Sequence, residues 1–61
     1  MPIVQIDMKE GRTVEQKRQL VKKLTDVIVE TAECSPEAVT IILREMSTTN
    51  FGNAGVLHAD K

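Results

Sequence analysis

Pro2 follows Met1 at the front of the chain. A small residue in second place permits removal of an initiator methionine, and removal here would expose a secondary amine. Such an amine is a base and a nucleophile once its proton has gone. The reference α-amino pKa is about 7.7–8.0, and a secondary amine is somewhat more basic. Apolar surroundings and a nearby cation both disfavour the charged form and lower that value. A base tuned near neutral pH suits removal of a proton beside a carbonyl. While Met1 stays attached, the same nitrogen is a tertiary amide with no basic lone pair. The plainer role for Pro2 is to begin an edge strand.

Arg12 follows Gly11, and its planar fork suits a carboxylate; a solvated loop arginine is the plainer account. Phe51 is the only Phe, Tyr or Trp in the chain. It serves either as a core plug or as the apolar wall of a site. Other candidates are weaker. His58 reads as a solvated histidine near the C-terminus, and Cys34 as a structural residue just past a helix. Ser47, Thr48 and Thr49 carry no triad signature. The three methionines are more simply core fillers than ligands. One cysteine makes no internal disulfide, and no Cys/His cluster points to a metal.

These residues need elements to hold them. Ile3–Met8 is rich in branched apolar residues and predicts a strand. Gly11 belongs to the turn after it. Thr13 and Gln16 have the spacing of a capping box. Behind them Leu20, Val21, Leu24, Val27, Ile28 and Thr31 recur at helical spacing, which predicts a helix over about 14–32. Ser35-Pro36-Glu37 starts one more helical turn. Val39–Leu43 is nearly all apolar and predicts a parallel strand covered on both faces. A polar loop at 47–50 follows, then a turn flanked by Gly52 and Gly55, with a short strand or hairpin and a tail. The expected fold is α+β, one βαβ unit over residues 1–61, with a right-handed crossover between two parallel strands.

The chain has 61 residues, with 8 Lys plus Arg against 9 Asp plus Glu and a net charge of -1. That balance offers no basic excess for a nucleic acid. No run approaches the roughly 18 apolar residues of a membrane span. The front of the chain has neither a basic region nor an apolar signal core, so a cytoplasmic location is the expectation. A domain of about 60 residues buries only about 60% of its unfolded surface. Without disulfides or a metal, self-association is the remaining source of stability. One helix covers one face of a two-stranded sheet. The other face therefore calls for a second copy.

Taken together, these residues resemble the 4-oxalocrotonate tautomerase family. The resemblance runs from Met1 to about Leu57. It rests on Met1-Pro2-Ile3, on Glu10-Gly11-Arg12-Thr13 followed by Glu15-Gln16-Lys17, on Glu45-Met46, and on Asn50-Phe51-Gly52 with Gly55. It implies a protomer that dimerises through its sheet, with three dimers forming a homohexamer, or a hetero-oligomer with a second kind of chain. It implies that Pro2, freed of Met1, is the general base, that Arg12 holds a substrate carboxylate, and that Phe51 keeps the site apolar. The implied substrate is a small unsaturated 2-oxo or 2-hydroxy acid, isomerised without a cofactor because its own carbonyl is the electron sink. One position departs from the pattern. Thr40 stands where well-known members carry a second substrate-binding arginine, and a hydroxyl supplies no cationic fork. Arg44 lies on the same strand face but about 13 Å further along. The expectation is an enol–keto tautomerase with a monocarboxylate or otherwise altered preference. Two alternatives accompany it. One is a hydratase or hydrolytic dehalogenase using the same proline, with Asp7 or Glu45 to activate water. The other is a non-catalytic subunit of a hetero-oligomer.

Overall fold

The computed structural model describes all residues from Met1 to Lys61. Strand β1 runs Ile3–Lys9, helix α1 Val14–Ala32 and strand β2 Thr40–Met46. A 3-10 turn, Pro36–Ala38, links α1 to β2. Two short strands, β3 (Gly52–Asn53) and β4 (Val56–Leu57), form an antiparallel hairpin, and a last 3-10 turn spans His58–Asp60. β1 and β2 pair in parallel, from Ile3 opposite Thr40 to Lys9 opposite Met46. This is the expected βαβ unit with its C-terminal hairpin.

α1 begins and ends where its sequence signals lie. The Thr13 hydroxyl accepts from the Gln16 N–H at 3.1 Å, and Gln16 Oε1 accepts from the Thr13 N–H at 2.8 Å. A cap of this kind contributes about 1 kcal/mol. Leu20, Val21, Leu24, Thr25, Ile28 and Val29 are half-buried. Val27 and Thr31, expected on that seam, are exposed instead, with Val27 at 59%. The stripe continues through Thr25 and Val29 because positions four apart, not the next apolar residue, stay over the sheet.

β2 corrects a second expectation. It begins one residue later than Val39 and runs three beyond Leu43. Its residues alternate: Ile41 and Leu43 are half-buried, whereas Thr40, Ile42 and Arg44 are exposed. β1 alternates likewise, with Val4, Ile6 and Met8 half-buried and Ile3, Gln5, Asp7 and Lys9 exposed. Side chains on one face of a strand recur every second residue. Each strand therefore packs one row on α1 and leaves the other row uncovered.

The isolated chain is a slab of 44 × 23 × 13 Å with no fully buried residue. Its radius of gyration is 14.8 Å, against about 10.5 Å for a compact domain of this length. Its accessible surface is 4643 Å², against about 4,000 Å² for a compact monomer of this mass. A chain with half-buried rows and no fully buried residue has half a core, and Ile3 and Ile42 on the bare face are 58% and 38% exposed.

Candidate functional site

Pro2 lies just before β1 and is half-buried. Its carbonyl accepts from the Thr40 N–H at 3.0 Å. That bond continues the strand pairing by one step and puts Pro2 and Thr40 together at the leading end of the sheet. Met1 precedes Pro2 and is 86% exposed.

Arg12 sits at the opposite end. The Glu10 N–H donates to the Met46 carbonyl at 2.9 Å, closing the sheet. Gly11 then takes φ +120, a conformation L side chains rarely adopt. The chain turns there, and Arg12 falls one residue before the cap of α1. It joins Met8, Gln16, Lys17 and Leu20 around a cleft of about 250 Å³. Lys17, in the first turn of α1, is ion-paired with Glu45 near the end of β2. This link fixes the start of the helix, and so the Arg12 turn, against the sheet.

Phe51 occupies the same end. Ala54 and Gly55 both have positive φ, as a two-residue hairpin loop of type I′ requires. Gly52 then pairs with Leu57, which places Phe51 and His58 side by side outside the ladder. Their rings stack with centroids 4.7 Å apart and planes at 21°. The His58 N–H also donates to the Phe51 carbonyl at 3.0 Å. His58 is half-buried and is not the solvated histidine its sequence position suggests. Lys9 completes the group, with Nζ 3.4 Å from His58 Nε2 and 6.0 Å from the Phe51 ring centre. Lys9 had no signal of its own. The hairpin register did, since a two-residue loop at 54–55 sets residue 51 beside residue 58.

Arg44 faces Asp7 across the sheet and is spent there. Its Nη2 donates to Gln5 Oε1 at 2.7 Å, and Nη1 lies 3.5 Å from Asp7 Oδ1. It does not reach towards Thr40.

The expected site residues thus fall into two groups, Pro2 with Thr40 and Arg12 with Phe51. Six strand steps of about 3.3 Å separate the ends of β1, or about 20 Å. No side chain bridges that gap within one chain. A twofold axis crossing the strands would set two such sheets face to face, antiparallel. Pro2 of each copy would then meet Arg12 and Phe51 of the other.

The family model described as "Tautomerase enzyme" matches residues 2–61. A probable tautomerase of Halalkalibacterium halodurans is 41% identical over 61 residues, the whole of both chains. A solved structure from work on the 4-oxalocrotonate tautomerase isozymes of Methylibium petroleiphilum is 41% identical, with TM-score 0.89 over 97% of this chain and 92% of that one. A structure from work on trans-3-chloroacrylic acid dehalogenase activity is 40% identical, with TM-score 0.78 over 85% and 98%. A structure from work on a heterohexamer 4-oxalocrotonate tautomerase of Chloroflexus aurantiacus is 28% identical, with TM-score 0.87 over 98% and 97%.

Proposed function

Because the chain belongs to the tautomerase family, we propose that it moves a proton between oxygen and carbon of an unsaturated 2-hydroxy or 2-oxo acid, with Pro2 as the general base once Met1 is removed. The neutral proline nitrogen takes the enol hydroxyl proton. The O–H electron pair becomes the carbonyl π bond, and the displaced π pair moves along the conjugated chain. The prolinium then returns its proton to the carbon that receives that pair. Arg12 holds the substrate carboxylate and draws electron density towards it. Phe51 keeps water away, which favours the uncharged amine.

The observation that carries this reading is the division of the site residues between the two ends of a bare-faced sheet. Packing that face against a second copy covers Ile3 and Ile42, and the same twofold gathers base, carboxylate clamp and apolar wall. Three such dimers make the proposed homohexamer. The heterohexameric relative supports a six-chain assembly and leaves two kinds of chain as the alternative composition.

Hydration or hydrolytic dehalogenation needs a carboxylate free to activate water. Asp7 lies against Arg44, and Glu45 is paired with Lys17. Both carboxylates are therefore engaged, which favours the tautomerase reading even beside a dehalogenase relative.

The test begins with an intact mass showing Met1 lost. Ketonisation of 2-hydroxymuconate and of phenylenolpyruvate is then followed spectrophotometrically. Pro2→Ala is expected to lower turnover by about 10²–10⁴-fold, the usual contribution of a general base. Undiminished turnover in that variant refutes the assignment.

A further inference from the structure

The charges at the Arg12 end of the sheet are not all accounted for. Lys17, Arg18, Lys22 and Arg44 each have a carboxylate partner. Lys9, Arg12, Lys23 and Lys61 have none, and of these Lys9 and Arg12 stand three residues apart at the end that carries Phe51. Lys9 is held in place. Its Nζ lies 3.4 Å from His58 Nε2, within reach for one ammonium N–H to donate to that nitrogen while two stay free. The same imidazole is stacked on Phe51, and the ammonium lies at the outer limit of a cation–π contact with that ring. A histidine and a phenylalanine thus tether a lysine head beside the apolar wall, with no counter-ion of its own.

We propose that Lys9 is a second anion-binding group of the site, positioned by His58 against Phe51, and that it supplies to a second substrate carboxylate the cation that Thr40 lacks. This rests on the reading that Phe51 walls the substrate site. By strand alternation Lys9 falls on the bare face of the sheet, whereas Arg12 lines the cleft beside Met8 and Leu20. The two cations flank the strand end rather than converge on one point. Their Cα atoms lie at most about 11 Å apart. That arrangement suits two anionic groups on one extended molecule better than one carboxylate gripped twice. It also offsets the cation missing at Thr40: the second positive charge comes from the other end of the strand, across the twofold.

Binding rather than turnover tests this, so the outcome does not depend on the role of Pro2. The probes are muconate, a six-carbon unsaturated diacid with no enol, and sorbate, its monoacid counterpart. Each is titrated calorimetrically into the assembled protein lacking Met1. Wild type is expected to bind muconate more tightly than sorbate. Lys9→Met is expected to weaken muconate about ten- to a hundred-fold, the span of a charge-assisted hydrogen bond, and to leave sorbate within about twofold. Lys9→Arg should keep most of the muconate affinity. His58→Phe, which keeps a stacking ring but loses the acceptor, should weaken muconate alone. Sedimentation of each variant checks that assembly is intact. The proposal is overturned if Lys9→Met leaves muconate unchanged, if it weakens both probes alike, or if wild type binds the two acids equally or not at all. Undiminished turnover in Pro2→Ala with the muconate–sorbate difference intact would instead count against the base assignment and leave Lys9 standing.

Discussion

If Pro2 and Arg12 act on one substrate, they come from different copies, because about 20 Å of strand divides them within a chain. Two single variants make this measurable. In Pro2→Ala every copy retains Arg12 but carries a primary amine in place of the secondary-amine base; in Arg12→Ala every copy retains the base but lacks the clamp. Each assembly alone is impaired at every site. When equal amounts are unfolded together and reassembled, each site draws its base from one copy and its clamp from another. Half the copies supply an intact Pro2, and half of their partners an intact Arg12. About one quarter of the sites regain both, as random pairing about a twofold requires. Turnover of an enol acid should rise from near background to about a quarter of the wild-type value. A mixture no more active than the mean of its two parents would mean that base and clamp belong to one chain, and the twofold arrangement would be wrong. A double variant carrying both substitutions, reassembled with wild type in equal amounts, is the control. There too about a quarter of the sites have both groups, so the two mixtures should match.

Two further outcomes follow from the packing. Ile42→Asp places a charge on the bare face, where a second sheet would strip its water at a cost of several kcal/mol. Sedimentation should show smaller species than wild type, and an unchanged assembly would refute burial of that face. Gly52→Ala places a Cβ 2.7 Å from the Val56 carbonyl oxygen, so the hairpin must open. Turnover should fall while assembly through the β1–β2 face persists; full activity would show that the Phe51–His58 stack is not needed.

The sequence made α1 legible because its signals are local. The Thr13–Gln16 box and the recurrence of Leu20, Leu24 and Ile28 lie within one helix and need no knowledge of the rest. β2 was less legible. Arg44 and Glu45 look like the end of a strand until Arg44 finds Gln5 and Asp7 on β1, and Glu45 finds Lys17 on α1. Those partners lie 28 to 39 residues away, and no local pattern reveals them. Pro2, Arg12 and Phe51 stood out by residue type and by family resemblance. Their division between two ends of the sheet emerged only with the register of β1. Lys9 was missed and His58 read as solvated because an isolated lysine and histidine carry no spacing signal, and the hairpin that joins them to Phe51 had first to be given its two-residue loop.

The proposed mechanism requires the amino-terminal nitrogen of the mature chain to be an uncharged base at neutral pH. Titration of a ¹⁵N-proline-labelled sample lacking Met1, followed by NMR, tests it directly. The Pro2 nitrogen should lose its proton below the ordinary α-amino range of about 7.7–8.0. A nitrogen that stays protonated throughout and beyond that range would contradict it.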